Sequence, residues 1–380
     1  MSPASPDDRP AVAIFRSPLF NPSETFVRDH MAGLRRYRPL AVGLVEKAGE
    51  PWAGPLFLPG SAGERLAFTL LGRARGLAER LRAERPVLVH AHFGTDGLLA
   101  LPLAQRLGVP LVVTLHGYEL SRSRGRLLLS GRLSWMRYAL LGGRLRRRGA
   151  LFLAASEAVR RRALAAGYPP ERTLTHHAGV DTGFFRPGAG APEPGLILHV
   201  GRLVEKKGTN DLLEAVAALG GGATLAIIGD GSLRGRLERR AHNLGIAGSV
   251  RFLGALPPRE VLEWMRRAWL LAAPSVTAGD GDAEGLPTVV CEAAAAGLPV
   301  VATRHSGIPE AVADGETGLL SAERDIAGLA RNLAELLSNP DRRGAMAAAA
   351  RARAERDFDI ARQIARIEDR YDALAARRLA

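Results

Sequence analysis

One cysteine, Cys291, stands in 380 residues, so neither an internal disulfide nor a cysteine-built metal site is available. Lysine is scarce too: three of the 52 basic residues, Lys47, Lys206 and Lys207, carry ammonium groups and the rest are arginine. No apolar run approaches the roughly 18 to 20 residues that cross a bilayer. The opening MSPASPDDRP has no basic-then-apolar leader pattern, so a soluble, cytoplasmic protein is expected. What is present is ordinary for a globular chain: 47% hydrophobic and 24% charged residues exclude wholesale disorder. At roughly 100 to 200 residues per domain, the length suggests two domains.

The formal net charge of +13 is unevenly shared. Residues 1–190 hold 28 Lys and Arg against 14 Asp and Glu, whereas residues 191–380 hold 24 against 25. Between Ser121 and Gly149 nine arginines occur with no acid, among leucines, Trp135 and Tyr138. Such a patch suits an anionic partner: a membrane surface, a phosphate-bearing acceptor or nucleic acid. The plainer reading of the same residues is a solvated face in an arginine-biased protein.

Short Val, Leu and Ile runs alternate with segments of helical periodicity, the pattern of βα units and parallel sheets. Strands are expected at 11–15, 87–92, 109–115 and 151–155 in the first half, and at 196–200, 224–228, 250–253, 269–272 and 300–303 in the second. The proline- and glycine-rich string RPGAGAPEPG at 186–195 leaves little scope for a helix or a central strand. It divides a domain of residues 1–186 from one of 187–357. Phe358, Ile360, Ile364, Ile367 and Tyr371 then stand at near-helical spacings, so 358–380 is expected as a helix whose apolar stripe needs burial. Open parallel sheets bind ligands beyond the carboxyl ends of their strands, and two such domains facing one another would make a cleft for two substrates.

The strand at 196–200 runs into Gly201-Arg202-Leu203-Val204-Glu205-Lys206-Lys207-Gly208. Gly201 permits a tight exit, and Arg202 and Lys207 place two cations at the mouth of the sheet, an arrangement suited to a diphosphate. Read alone, the string also fits a surface loop. A sharper signal is Asp280-Gly-Asp-Ala-Glu-Gly-Leu-Pro-Thr-Val-Val-Cys-Glu292. Pro287 suits a first helical turn, so Glu284 and Gly285 fall in the loop ahead of it. The amides of Leu286, Thr288 and Val289 then face outward with the positive end of the helix dipole, a seat for phosphate. Glu284 and Glu292 cannot share a turn, so each carboxylate can accept from a different set of sugar hydroxyls. The alternatives are a dipole-complementing charge for Glu284 and a surface glutamate for Glu292. Asp280 and Asp282 could recruit a hard cation. Since Arg202 and Lys207 already supply positive charge there, metal independence is expected.

Glu284-(x)7-Glu292, preceded by Arg202 and Lys207 in HVGRLVEKKG, resembles the hallmark of the retaining glycosyltransferases of family 4, which have the GT-B fold. PSVTAGDGDAEGLPTVVCEAAAAGLPVVAT and SPLFNPSETFVRDHMAGL are similar to the branch holding colanic acid and other exopolysaccharide transferases. The resemblance implies two Rossmann-like domains facing a central cleft, with the last helix crossing back to the first. It also implies a nucleotide-diphosphate sugar as co-substrate, with no other cofactor. Arg202 and Lys207, next to Gly201, would neutralise the diphosphate. Glu292 would hold the ribose, and Glu284 the donor sugar. The backbone of Gly285, Leu286, Pro287 and Thr288 would seat the sugar and its phosphate, and the strand holding Phe252 and Leu253 would lie along the base.

His116, at the end of the strand 109–115, would hydrogen-bond the donor sugar near the reacting carbon; without the resemblance it reads as a structural histidine. Phe93, Gly94 and Asp96 resemble an acceptor-side loop. Ser23, Glu24 and Thr25 stand where many family members carry a Gly-Gly loop, either as a capping turn with Ser23 as the cap or as a helix start aimed at a substrate. No second carboxylate is placed as a covalent nucleophile, which points to front-face transfer through an oxocarbenium-like state. The acceptor is a hydroxyl on a glycan, lipid-linked or small molecule, and an anionic inner membrane face is a candidate partner for 121–149. An epimerase or hydrolase on the same scaffold is the rival enzyme. A nucleic-acid binder is the non-enzymatic rival, and nucleic acid is not expected as a partner.

Overall fold

The computed structural model describes residues 8–21, 24–47 and 52–379, with side chains through Ala376. The chain forms two compact units, Met1–Ala178 with Ile360–Ala380, and Gly179–Asp359. The first holds strands β1 (Ala11–Phe15), β2 (Arg38–Val42), β3 (Leu56–Phe57), β4 (Pro86–His92), β5 (Leu111–Leu115), β6 (Leu151–Ala154) and β7 (Thr173–Thr175). They pair in the order β3-β2-β1-β4-β5-β6-β7, every pairing parallel. The second holds β8 (Leu196–Val200), β9 (Thr224–Ile228), β10 (Val250–Gly254), β11 (Leu270–Ala273), β12 (Val300–Thr303) and β13 (Gly318–Ser321). Their order is β10-β9-β8-β11-β12-β13, again all parallel.

Central strands such as AVAIF in β1 and VVAT in β12 are buried at every residue, because helices cover both sheet faces and leave no solvent side for polar alternation. In the first unit the helices Arg75–Ala83, Gly94–Leu107 and Leu133–Arg148 fill one face. Thr25–Gly33 and the C-terminal helix Ile360–Leu379 fill the other. Ile364, Ile367 and Tyr371 pack there with Val12, Ile14, Met31 and Tyr37, so the last helix returns to the first unit as the resemblance implies. Among the described residues, no helix is long and apolar enough to cross a membrane.

Two details differ from the expectations. The units divide at Ala178/Gly179, ahead of the string at 186–195, because Val180, Phe184 and Phe185 pack into the second unit's core. The return crossing falls at Asp359/Ile360, since Phe358 is buried in that same core and only the later members of the apolar stripe belong to the first. Strands β2, β3, β7 and β13 carry no clear signal in the sequence. Three of them are sheet edges, and β3 and β7 have two and three residues.

Candidate functional site

In the second unit the polar residues gather beyond the carboxyl ends of β8, β11 and β12. Gly201 leaves β8 with its amide donating to Ile228 O at 2.9 Å. The chain then makes a short turn, Glu205–Lys207, closed by Gly208 at φ 65°. A side chain at 208 would be strained there and would place its Cβ 1.8 Å from Pro274 O, so glycine is required. This turn carries both lysines inward. Lys207 Nζ stands 3.1 Å and Lys206 Nζ 3.7 Å from Glu284 Oε1, and Lys206 Nζ also lies 3.4 Å from Asp282 Oδ1. Burial pushes the Glu284 pKa up, but the two ammonium groups more than reverse this and bring it down to about 2. Glu284 is therefore a carboxylate at any working pH.

The backbone of Glu284 is held by residues the sequence did not single out. Its amide donates to His305 Nε2 at 3.0 Å, its carbonyl accepts from Ser306 Oγ at 2.6 Å, and Gly307 donates to the Gly285 carbonyl at 2.9 Å. Because Nε2 of His305 accepts, its Nδ1 carries the proton if the ring is neutral, and Nδ1 faces Glu323 Oε1 at 2.6 Å. Glu323 in turn accepts from the Thr277 amide at 2.8 Å. The only sequence signal for this buttress was the His-Ser-Gly string just past β12.

Pro287 stands at the N-cap of the helix Thr288–Ala295, so Glu284, Gly285 and Leu286 precede the helix, and half-buried Glu292 lies a turn inside it. Arg202 is exposed, and among the described residues its guanidinium makes no ion pair. Phe252 and Leu253 lie on β10; Phe252 O accepts from Arg234 at 3.4 Å, and Gly254 O from the Gly229 amide at 2.7 Å. Asp280 Oδ1 accepts the Asp282 amide at 2.9 Å, which closes that turn on itself.

In the first unit an arginine missed by sequence reasoning organises the expected acceptor-side residues. Arg16, one residue beyond β1, grips Glu24 through Nε at 2.7 Å and Nη2 at 2.8 Å, and Asp96 through Nη1 at 2.7 Å. Asp96 Oδ2 also accepts the Ser17 amide at 2.7 Å. Burial alone would lower the Arg16 pKa, but Asp96 and Glu24 outweigh it and hold the group charged. The signal was its position: a charged residue directly after a wholly apolar strand.

Glu24 is the N-cap of the helix that begins at Thr25, without a side-chain capping bond. The proposed cap Ser23 lies outside the described residues. Phe93, at φ 71°, turns the chain from β4 into the helix beginning at Gly94. Its ring lies beneath the Arg16 guanidinium at 4.3 Å and against His116 at 4.4 Å, contacts that hold an otherwise unfavourable backbone. Buried Glu119 accepts the amides of Gly94, His116 and Gly117 at 3.0 to 3.2 Å and so ties the two loops together. His116 follows β5 and is pushed down to a pKa of about 3 by burial, with Arg16 and His30 adding to the effect, so it is a neutral imidazole. The structure thus joins Glu24, Phe93, Gly94, Asp96 and His116 in one unit, and Lys207, Glu284 and Gly285 in the other.

The family described as "Glycosyl transferases group 1" matches residues 183–353, and "Glycosyltransferase Family 4" matches 45–184. A putative colanic acid biosynthesis glycosyltransferase, WcaL, of Salmonella typhimurium is 36% identical over 64% of this chain and 60% of its own length. The amylovoran biosynthesis glycosyltransferase AmsK of Erwinia amylovora is 33% identical over 73% of this chain and 69% of its own. The chain spans about three fifths to two thirds of the length of several curated relatives it matches. Among solved structures, Anabaena HepE in complex with UDP superimposes with a TM-score of 0.79 at 22% identity, covering 96% of this chain and 100% of that one.

Proposed function

The chain belongs to the glycosyltransferases of group 1 and family 4, and from that premise we propose that it moves a sugar from a nucleoside diphosphate to a hydroxyl acceptor with retention of configuration and without a metal. The observation that carries the reading is the lysine pair around Glu284, with Lys207 at 3.1 Å, on a loop fixed by His305 and Ser306. A carboxylate held ionised can accept hydrogen bonds from sugar hydroxyls. Lys207 and the exposed Arg202 supply charge for a departing diphosphate, with the amides of Gly285, Leu286 and Thr288 beside them; Pro287 has none to give. Glu292 is assigned to the ribose, and the backbone of Phe252 and Leu253 to the base. His116, as a neutral imidazole, is assigned a hydrogen bond to the donor sugar. A phosphate oxygen of the leaving group takes the acceptor proton on the face that group leaves. Metal independence is supported by Lys206, which occupies the charge of Asp282 at 3.4 Å. A UDP complex among the structural neighbours supports a nucleotide donor.

The test is transfer from UDP-, GDP- and ADP-sugars to hydroxyl acceptors, with the anomeric configuration of the product read by NMR. Retained configuration and unchanged activity in EDTA are expected. An inverted product, or activity abolished by EDTA and restored by magnesium or manganese, would refute the proposal as stated.

A partner for the arginine-rich segment follows from its exposed face. Leu129, Leu133, Met136 and Leu140 are 88%, 42%, 37% and 59% exposed, at helical spacing along and just before the helix Leu133–Arg148, whereas Trp135 and Tyr138 point inward. Arg144, Arg147 and Arg148 continue the exposed side. An apolar stripe flanked by arginine fits the interface of an anionic bilayer, where we place the enzyme while it acts. In flotation with vesicles of neutral and acidic lipid, binding should require acidic lipid. It should fall when the four apolar residues are changed to serine or when Arg144, Arg146, Arg147 and Arg148 are neutralised.

A further inference from the structure

The first unit contains a run of hydrogen-bonded rings of which the proposed reaction uses only the first. It starts at His116, whose Nε2 lies 3.2 Å from His92 Nδ1. His92 Nε2 is 3.1 Å from His30 Nδ1, and His30 Nε2 is 3.1 Å from the hydroxyl of Tyr371. The same hydroxyl bonds His90 Nδ1, and His90 Nε2 stands 2.7 Å from Thr114 Oγ1. His30, His90 and His92 therefore each use both ring nitrogens inside the chain. All three, with Tyr371, are buried. The rings are also fixed by stacking, His90 on His92 at 5.0 Å and 9°, and His116 on Phe26 at 4.5 Å.

A neutral imidazole has one N–H and one lone pair. Burial favours the neutral form throughout: it brings His30 down to about 4 and, with Arg16 and His30, His116 to about 3, and it holds His90 and His92 well below the ordinary value. In an unbroken chain of neutral rings every N–H must then point the same way. If the order runs from His116 toward Thr114, His116 donates through Nε2 and presents a bare Nδ1. If it runs the other way, His116 accepts at Nε2 and presents Nδ1–H. A break within the chain would set two lone pairs or two N–H groups face to face, leaving buried polar groups unsatisfied. The hydroxyl of Tyr371, which donates once and accepts once, joins the two halves of the order.

Two unbroken orders exist, and we propose that the His-Tyr-His chain holds one of them, and with it His116 in a single neutral tautomer, with Tyr371 of the C-terminal helix as the positioning residue that links its two halves. Use of that tautomer on a sugar rests on the glycosyl-transfer reading; the tautomer itself does not. The experiment is 15N NMR of the full chain labelled at histidine, because the two ring nitrogens of one tautomer resonate far apart and a mixture draws them together. The wild type should show widely separated Nδ1 and Nε2 signals for His116. Tyr371→Phe should pull them toward their mean, and so should His90→Phe, which keeps a ring stacked on His92 and interrupts the chain one link further out. Averaged signals in the wild type, or wild-type signals in whichever variant folds, would overturn the proposal. Kinetics separate the two claims: a kcat several-fold lower at constant donor KM supports the use of His116, whereas a changed spectrum with normal kcat refutes that use and leaves the chain standing.

Discussion

The two units place polar side chains beyond the carboxyl ends of similar parallel sheets, yet their charge arrangements are inverted. In the first, one arginine, Arg16, is held between two carboxylates, Glu24 and Asp96, beside a set of neutral imidazoles. In the second, one carboxylate, Glu284, is held between two ammonium groups, while Arg202 stays exposed. The first arrangement uses its charges on its own loops. The second keeps a cation at the surface. On the proposed reading, anion binding belongs to the second unit, and positioning of an uncharged group to the first.

The sharpest way to break that contrast is to remove one cation from each cluster. Arg16→Ala leaves buried Asp96 and half-buried Glu24 without their cation, and removing one partner of a buried ion pair costs about 3–5 kcal/mol. A fall in melting temperature with nucleotide affinity retained is the expected result. Lys207→Ala should act the other way: the fold persists, but loss of one stabilising group at a leaving group costs on the order of 2.7–4 kcal/mol, so turnover falls about a hundredfold or more. Near-normal turnover would remove Lys207 from the chemistry.

Acid should separate the units as well. Five histidines of the first unit, His30, His90, His92, His116 and His176, have pKa values lowered by desolvation, against His199 alone among the shifted histidines of the second. A histidine that is neutral when folded and has a pKa near 6.5 when unfolded contributes full stability above about pH 6.5 and loses it as pH falls. For His30 the loss runs down to its folded pKa of about 4 and amounts to about 3 kcal/mol. Glu284, an acid with its folded pKa lowered to about 2, stabilises above its unfolded value and weakens only as pH falls from about 4.3 toward 2. Hydrogen exchange followed from pH 7 to 4 should therefore show the first unit opening before the second; simultaneous opening would remove the contrast.

The smallest effect belongs to Gly201→Ala. The new Cβ would lie 3.1 Å from Lys207 Cε, tight against the far part of a flexible side chain rather than against backbone. Nucleotide affinity should drop a few-fold in calorimetry while the melting temperature barely moves.

Legibility in the sequence follows the same division. Strands β1, β8, β9 and β12 were readable to the residue because each is a dense apolar run that ends at a glycine or an arginine. The edge strands β3 and β13 were not, since β3 has two residues and the four of β13, Gly-Leu-Leu-Ser, hold two adjacent leucines and no longer apolar run. Lys207 and Glu284 could be picked out because each lies in a glycine-containing loop after a readable strand. Lys206, His305 and Glu323 could not, because their roles depend on the loops after β8, β11, β12 and β13 approaching one another in space. Arg16 and the imidazole chain are less legible still: Tyr371 reaches His30 and His90 only because the last helix leaves the second unit and returns to the first.

The central claim, that the second unit grips a nucleoside diphosphate through Lys207, is tested most directly by thermal denaturation of the full chain with UDP, GDP and ADP, in wild type and Lys207→Ala. A ligand of the folded state at a hundredfold excess over its Kd adds about 2.7 kcal/mol. At least one nucleotide should raise the wild-type melting temperature in a concentration-dependent way, with most of that rise absent in the variant. No rise with any of the three, or an equal rise in both proteins, would contradict the account.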